Sequence, residues 1–506
     1  MKINSLKTMY TIVGATCLMS YQKAYAQKPN VIIIYADDIG YGDFECNGST
    51  TIKTPNVNKL AEEGIRFTNS HSTSAVSTPS RYGLLTGQYP WRKEGTGIAA
   101  GNAGMIISPE QYTMADMFKD AGYQTGAIGK WHLGLGITAQ QDWNGTVTPN
   151  LSDIGFDYSY IMAATADRVP CVYIENGKVK NLDPNDPIEV SYKKPFEGEP
   201  TGEKNPELLR MTPSHGHNQA IVNGISRIGY MKGGKAALWR DEDIADNITN
   251  KALEFITENK ERPFFLYFGT NDIHVPRVPN ERFVGKSGMG PRGDAILSFD
   301  ECIGKVMAKL EELGLSDNTL IVLSSDNGPV VDDGYNDQAW ELLGEHKPWG
   351  AFRGGKYSAF EAGTRVPMIV RWPGKIKPQT SDALFSHIDL YASFADIING
   401  KIPADAAPDS KSYANVLLGK KTSGRKYIIE QNVTKTLSVL DNKGWKYIEP
   451  SNGPAKEWNT KTELGNKKSG QLYYLVDDVN ERNNLADNHP KKMKELSDIL
   501  KKECSK

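Results

Sequence analysis

The sequence predicts an α/β fold: a large mixed, mostly parallel sheet sandwiched by helices, followed by a smaller C-terminal α+β subdomain of antiparallel sheet plus helix. Three observations lead there. Continuous apolar runs recur through the first three quarters of the chain, helical patterns lie between them, and the patterning changes after about residue 400. Runs that are apolar at every position belong to strands buried on both faces, as in a parallel sheet covered by helices. The clearest are 31–35 (Val-Ile-Ile-Ile-Tyr), 264–268, 320–323 and 367–370. Helical periodicity at 56–63, 110–121, 242–259 and 294–313 supplies the alternation of a doubly wound domain. Short alternating segments at 426–431, 436–440, 444–448 and 472–475 precede a charged helix at 490–503. We therefore divide the chain into a leader over 1–26, a large domain over 27–405 and a C-terminal subdomain over 406–506. The stretch 175–215 is rich in Pro, Asn, Glu and Gly without periodicity, and reads as a long surface excursion able to wall a pocket.

The totals narrow the function. At 506 residues, with 39% hydrophobic and 24% charged, the chain has the make-up of a globular protein large enough for more than one core. Lys2 and Lys7 precede an apolar run over 9–19, and Ala24-Tyr-Ala26 gives an A-x-A cleavage pattern, so residues 1–26 read as a secretory signal peptide cut near Ala26. The expected location is the periplasm or outside the cell. No later stretch approaches the roughly 20 apolar residues of a spanning helix, so no stable membrane insertion is expected. Lys2, Lys7 and Lys23 fall in the leader, so the remainder of a chain of net charge −2 carries −5. That balance argues against nucleic acid as a partner and requires any positive charge that receives an anion to be local. Cys46, Cys171, Cys302 and Cys504 form no C-x-x-C pair; export permits a disulfide and nothing demands one.

Two acid pairs carry the first chemical signal. Asp37-Asp38 follows the strand at 31–35, and Asp326-Asn327 follows the strand at 320–323. Strand carboxyl ends are where open α/β sheets bind ligands, so the pairs can converge on one cation. Three carboxylates and an amide oxygen suit a hard ion such as Ca²⁺; taken singly, each pair also suits a turn or a cap. The second signal is Ser77-Thr-Pro-Ser-Arg81, continuing through Tyr-Gly-Leu-Leu-Thr-Gly87. Two other motifs lead nowhere. Gly288 to Gly293 satisfies G-x-G-x-x-G but follows no strand and contains Pro291, and Gly350 to Lys356 approaches a P-loop but is followed by Tyr357 instead of Ser or Thr.

With these residues the sequence resembles the formylglycine-dependent sulfatases, of the arylsulfatase family within the alkaline phosphatase superfamily. The resemblance runs in order through Pro29 to Asp38, Ser77 to Gly87, Gly129-Lys-Trp-His-Leu-Gly134, His274-Val-Pro276, Ser324 to Gly328, Arg353-Gly-Gly-Lys356, Glu361 to Pro367, and Leu472 to Leu475 with Asn483 to Ala486. It implies that Ser77 is oxidised to formylglycine, and that Asp37, Asp38, Asp326, Asn327 and the modified residue 77 hold Ca²⁺. Many relatives carry Cys at this position. The serine form implies a formylglycine-generating maturase of the anaerobic radical type as a partner.

The same resemblance assigns roles. A sulfate monoester resists water, so the site must supply a strong nucleophile, neutralise the sulfuryl oxygens and protonate the departing alcohol. A hydrated aldehyde offers one hydroxyl to attack sulfur and a second to expel sulfate as the aldehyde reforms. Arg81 would hold the diol and the metal carboxylates. Lys130 and Lys356 would bind sulfate oxygens, one lysine or His274 would protonate the leaving oxygen, and His132 would orient or deprotonate the diol. Substrate recognition is expected from Asp167, Arg168, His215, His217 and Trp349. The stretch 167–177 resembles that of bacterial exo-sulfatases acting on 6-O-sulfated galactose or N-acetylgalactosamine, which points to a sulfated carbohydrate from mucin or chondroitin. The rival readings are a phosphomonoesterase or phosphodiesterase of the same superfamily and an inactive carbohydrate-binding homologue.

Overall fold

The computed structural model describes residues 28–506, so the leader expected over 1–26 lies outside the described residues. Fourteen strands matter for the site and its support. Ten form one sheet: β1 (Asn30–Ala36), β2 (Ile65–Phe67), β3 (Gln124–Lys130), β4 (Tyr158–Met162), β5 (Tyr173–Glu175), β6 (Lys178–Val179), β7 (Phe264–Gly269), β8 (Thr319–Ser325), β9 (Met368–Arg371) and β10 (Gln379–Ser381), in the order β10-β2-β9-β8-β1-β7-β3-β4-β5-β6. The five strands β8-β1-β7-β3-β4 are parallel. Every residue of β1, β7 and β8 is buried, as their unbroken apolar runs require. The run at 367–370 is equally apolar, yet β9 lies antiparallel to β8. Burial on both faces, not strand direction, makes a run continuous.

The longer helices are α1 (Pro55–Glu62), α2 (Ser77–Thr86), α3 (Met114–Asp120), α4 (Ile244–Glu258), α5 (Gly290–Glu312), α6 (Leu390–Ile398) and α7 (Pro490–Cys504). The helix expected over 110–121 begins only at Met114. Thr113 caps it by accepting from the Asp116 N–H while the Asp116 carboxylate accepts from the Thr113 N–H, a reciprocal box that fixes the start. The G-x-G-x-x-G match is the entry to α5, where Asp294 accepts the N–H groups of Gly285 and Ser287. The excursion over 175–215 is not structureless: part of it runs along the sheet edge in β5 and β6, and Glu189–Ser191 pairs with Tyr230–Lys232.

Beyond Tyr427 a separate antiparallel sheet forms from β11 (Tyr427–Gln431), β12 (Leu437–Asp441), β13 (Trp445–Ile448) and β14 (Gln471–Tyr474), with α7 packed on it through Leu496 and Leu500. Val416 and Leu417 still belong to the core of the large sheet. Cys46, Cys171, Cys302 and Cys504 are all free thiols. Among the described residues no helix is long and apolar enough to cross a membrane.

Buried charge joins the two sheets. Lys446 of β13 donates to Glu361 at 2.8 Å and lies 3.7 Å from both Glu430 and Glu481. The Glu361 N–H donates to Glu481 at 2.7 Å, and His71 contacts Glu430 at 2.8 Å. Three carboxylates share one ammonium, and burial, reinforced by Glu361 against the pull of Lys446, raises Glu481 to about 8. The folded carboxyl therefore holds its proton more tightly than the unfolded one, so the stability it contributes is complete below about 4.5 and lost as pH rises through about 8. Glu481→Gln is expected to flatten the decline of urea-unfolding free energy between about pH 4.5 and about pH 8. An unchanged slope in the variant contradicts this assignment.

Candidate active site

Strand register assembles the site. Tyr35 lies level with Ser324 on one side and Gly269 on the other, and Gly269 lies level with Gly129. Ala36 pairs with Ser325, so the next residues, Asp37 and Asp326, leave adjacent strands side by side, and Lys130 ends β3 in the same row. Gly129 permits this crowding. Its φ is +92° and a Cβ there would stand 2.0 Å from the Gly269 carbonyl oxygen. Loop hydrogen bonds then stitch the strand ends together, from Asp326 N to Ala36 O at 3.1 Å and from Ile273 N to Asp37 O at 2.8 Å.

Ser77 opens α2, a helix whose residues are all buried and whose end is capped by Gly87 at φ 63°. The spacing of Ser77 and Arg81 is one helical turn, which puts both side chains on one face, while Pro79 sits in the first turn where its missing N–H has no helical partner to lose. Arg81 Nε donates to Ser77 Oγ at 3.0 Å and to Asp326 Oδ2 at 3.0 Å; Nη2 donates to Asp326 Oδ2 at 2.8 Å and Nη1 to the Tyr267 hydroxyl at 2.7 Å. Lys130 Nζ donates to Asp37 Oδ1 at 2.5 Å and reaches Asp326 Oδ2 at 3.4 Å. Lys356 Nζ bridges Asp38 Oδ2 and Asp333 Oδ2, at 2.8 Å each. Three buried cations thus face Asp37, Asp38 and Asp326.

The histidines are fixed by what their second nitrogen touches. His132 Nε2 lies 3.0 Å from the Ala99 carbonyl, which can only accept, so Nε2 carries the proton and Nδ1 turns its lone pair to Ser77 Oγ at 3.3 Å. Burial and then Lys130 hold His132 well below the usual imidazole range. His274 Nδ1 donates to the Val275 carbonyl at 2.8 Å, leaving Nε2 bare and 3.8 Å from Asp38 Oδ2. Burial, with Lys356 and Lys130 adding to it, depresses His274 in the same way. Nε2 is therefore the nitrogen of His274 left to meet a ligand. Burial opposes charge on Lys356 as well, but Asp333 and Asp38 outweigh it and hold this ammonium well above its usual range.

The donor set fits a hard cation. Asp37 Oδ2 and Asn327 Oδ1 are buried without a partner, while the other Asn327 atom, Nδ2, donates to Asp38 Oδ1 at 2.8 Å and so turns the amide oxygen inward. Donor atoms of Asp37, Asp38 and His274 lie within 4.8 Å of one another. Burial lifts Asp37 well above the usual carboxylate range even beside Lys130, as expected of a carboxylate short of positive charge. Oxygen ligands from Asp37, Asp38, Asp326 and Asn327 suit Ca²⁺ better than the His274 nitrogen does.

Above Ser77 lies a narrow pocket of about 60 Å³, whose lining includes His132, Asp167, Arg168, His217, His274 and Lys356. Asp167 accepts from Arg168 Nη1 at 2.9 Å and contacts His217 Nε2 at 2.8 Å. Asp38, His132, His217 and Tyr357 all adopt positive φ, of 61°, 58°, 45° and 79°. Such conformations cost about 1–3 kcal/mol each and gather where a fixed geometry is required. Two expected substrate residues lie elsewhere. His215 lines the wider cleft outside the pocket, and Trp349 packs near Trp340, ring centroids 6.4 Å apart, on a different cleft reached past Asp332. The loop over 345–349 is tied away from Ser77 because His346 binds Asp43 at 2.8 Å. The pocket wall comes from residues around 217–228 rather than from 175–215. Sequence reasoning missed Asp333 and Tyr357, which are joined at 2.8 Å and line the pocket. The available signals were the acid pair Asp332-Asp333 soon after Asp326, and the position of Tyr357 directly after Lys356.

A fold of this topology with a serine at a helix start, held by an arginine beside a carboxylate–amide cluster, defines a hydrolase of ester-bound oxyanions. The sulfatase family model matches residues 29–400, and the chain belongs to the sulfatase family. It is 58% identical to the N-acetylgalactosamine-6-O-sulfatase of Bacteroides thetaiotaomicron over 475 residues, covering 94% of this chain and 93% of that enzyme. It is 30% identical to the steryl-sulfatase of Rattus norvegicus, over 77% of this chain and 70% of the relative. A solved structure from the metabolism of multiple glycosaminoglycans by Bacteroides thetaiotaomicron superposes with a TM-score of 0.94 at 57% identity, covering 95% of this chain and 100% of that one. The protein is a sulfuric ester hydrolase.

Removing Arg81 would leave Asp326 buried with Lys130 as its remaining cation. Arg81→Ala is expected to destabilise the fold by about 3–5 kcal/mol in chemical denaturation, the range for breaking a buried ion pair. A loss below about 1 kcal/mol, as for an exposed pair, contradicts the buried network.

Proposed function

We propose that the chain removes the 6-O-sulfate from a galacto-configured sugar, N-acetylgalactosamine before galactose, using a formylglycine made from Ser77 and a Ca²⁺ ion held by Asp37, Asp38, Asp326 and Asn327. The supporting observation is the placement of Ser77 Oγ between Arg81 Nε at 3.0 Å and His132 Nδ1 at 3.3 Å, at the foot of a pocket flanked by Lys356. The relative at 58% identity, named for N-acetylgalactosamine 6-sulfate, supports the choice of sugar. Bound together, the cation and the hydrated aldehyde supply fixed positive charge and an acidified hydroxyl nucleophile.

The chain's own residues do the rest. Arg81 orients residue 77 and His132 Nδ1 takes a proton from it. Lys130 and Lys356 draw the sulfate oxygens into the pocket. Proton donation to the leaving oxygen falls to one of these lysines or to His274, whose Nε2 is left without a partner at the pocket. Asp167, fixed by Arg168 and His217, lines the pocket where it can accept from a sugar hydroxyl. A phosphatase reading is weaker, since Lys130, His132 and Lys356 stand where a second metal would need acidic and histidine ligands. Export with cleavage near Ala26, and maturation by a radical enzyme that works without oxygen, complete the proposal.

The matured enzyme should hydrolyse 6-O-sulfated N-acetylgalactosamine in a panel of sulfated sugars. Activity confined to glucosamine or uronic acid sulfates contradicts the substrate. Lys130→Ala and Lys356→Ala should each lower kcat/KM by about 10²–10⁴-fold, the range for losing a proton donor or an oxyanion contact; near-normal rates refute their roles. Calcium at a hundredfold over its Kd should raise unfolding free energy by about 2.7 kcal/mol, and Asp37→Ala should abolish the gain. Equal calcium stabilisation of both proteins removes Asp37 from the ligand set.

A further inference from the structure

Behind the Ser77 site, between α2 and the sheet, runs a string of buried polar side chains. Ser80 follows Ser77 by three residues on α2, and its Oγ lies 2.9 Å from the Tyr35 hydroxyl near the end of β1. The same hydroxyl lies 3.0 Å from Nδ1 of His387, in the segment that leads into α6. The other ring nitrogen, Nε2, lies 2.9 Å from Ser324 Oγ on β8, and Ser324 donates to the Pro367 carbonyl just before β9 at 2.6 Å. Ser80, Tyr35, His387 and Ser324 are each at most 1% exposed. So far from solvent, each hydroxyl and ring nitrogen needs a partner within the protein.

The direction of every bond in the string follows from its last member. A carbonyl oxygen only accepts, so the single hydrogen of Ser324 goes to Pro367 and Ser324 Oγ accepts from His387 Nε2–H. Burial, with His71 adding to it, pushes His387 down to about 3, so the ring is neutral and holds no second proton. Nδ1 therefore offers its lone pair to the Tyr35 O–H, and the Tyr35 oxygen is left to accept from Ser80. The string also frames Arg81, the residue after Ser80. The Tyr35 ring centroid lies 5.3 Å from the guanidinium carbon, and the Tyr267 hydroxyl accepts from Nη1 at 2.7 Å. Two consecutive residues of α2 are thereby fastened to β1, to β7 and, through Asp326, to the end of β8. Apolar packing is non-directional, whereas a fully satisfied buried hydrogen-bond network specifies one arrangement.

We infer that His387 is a positioning residue for sulfate ester hydrolysis: through Tyr35 and Ser80 on one side and Ser324 on the other, it sets residue 77 and Arg81 against the strand end that carries Asp326 and Asn327. The inference rests on the function proposed for the Ser77 pocket, which His387 itself does not line. Arg81 Nε, shared between Ser77 Oγ and Asp326 Oδ2 at 3.0 Å each, is where a shift of α2 would be felt. A misplacement of about 1 Å in a reacting group costs on the order of 10²-fold in rate, so the effect belongs in kcat. Lys356, Arg168 and His217 line the pocket from other segments, and KM should hold.

Two measurements test this. Nitrogen NMR of the full chain with isotope-labelled histidine and unmodified Ser77, His387 being assigned by its loss in His387→Gln, should show a neutral ring protonated at Nε2. Its Nδ1 resonance should move in Tyr35→Phe, which deletes one hydroxyl and keeps the aromatic ring. A proton on Nδ1, or an Nδ1 resonance unmoved in that variant, overturns the string; this arm needs neither substrate nor formylglycine, so it fails independently of the proposed function. In matured enzyme acting on N-acetylgalactosamine 6-sulfate, with rates corrected for formylglycine content, Tyr35→Phe and His387→Leu should each lower kcat about 10–10²-fold while KM changes less than about threefold. His387→Gln, which keeps one acceptor and one donor, should recover most of the rate. An unchanged kcat in Tyr35→Phe, or a loss confined to KM, overturns the positioning role. If the unsubstituted enzyme leaves this sugar intact and cleaves another sulfate ester, the proposed substrate fails, and the same kcat comparison on that ester decides the role of His387.

Discussion

Buried charge at the carboxyl edge of the parallel sheet governs the arrangement of this molecule. Asp37, Asp38 and Asp326 are fully buried, and each is met by a side-chain cation, from Lys130, Lys356 and Arg81 respectively. An isolated ion in such a place would be driven out or neutralised, so the pairs must form together or not at all. The five parallel strands set this up by delivering Asp37, Asp326 and Lys130 to one row, which no local propensity could achieve. The same pairing leaves Asp37 Oδ2 and Asn327 Oδ1 unsatisfied, and this residue of unmet polarity is what a hard cation would relieve.

Electrostatic economy explains how a chain with more acids than bases can receive an anion. Its surface has no need of a general positive field, because Arg168 and Lys356, each paired with an aspartate, bring cationic donors into the pocket itself. Depressed His132 and His274 keep lone pairs available where protonated rings would be ready only to donate. Function here depends on which groups stay uncharged as much as on which are charged.

Much of the fold was legible because burial on both faces writes unbroken apolar runs, and β1, β7 and β8 stand within a residue or two of their expected places. Direction was not legible: β9 has the same composition and runs the other way. The site residues drawn from matched motifs fall around Ser77 because those motifs sit at strand ends and at the start of α2. Recognition residues followed no such rule. Trp349 has the right chemistry for a sugar face, but His346 and Asp43 anchor its loop elsewhere. Asp333 is held at the pocket by accepting from Lys356 and Tyr357, contacts that depend on chain folding and that the sequence signals only through the acid pair after Asp326 and the place of Tyr357 beside Lys356.

The account turns on residue 77 as an oxidised nucleophile beside the cation cluster. Peptide mass spectrometry of the protein produced together with an anaerobic radical maturase tests it most directly. The account predicts a residue-77 peptide lighter than the serine form by one pair of hydrogen atoms, appearing in step with sulfatase activity. Full activity from protein whose Ser77 peptide retains its unmodified mass would contradict it.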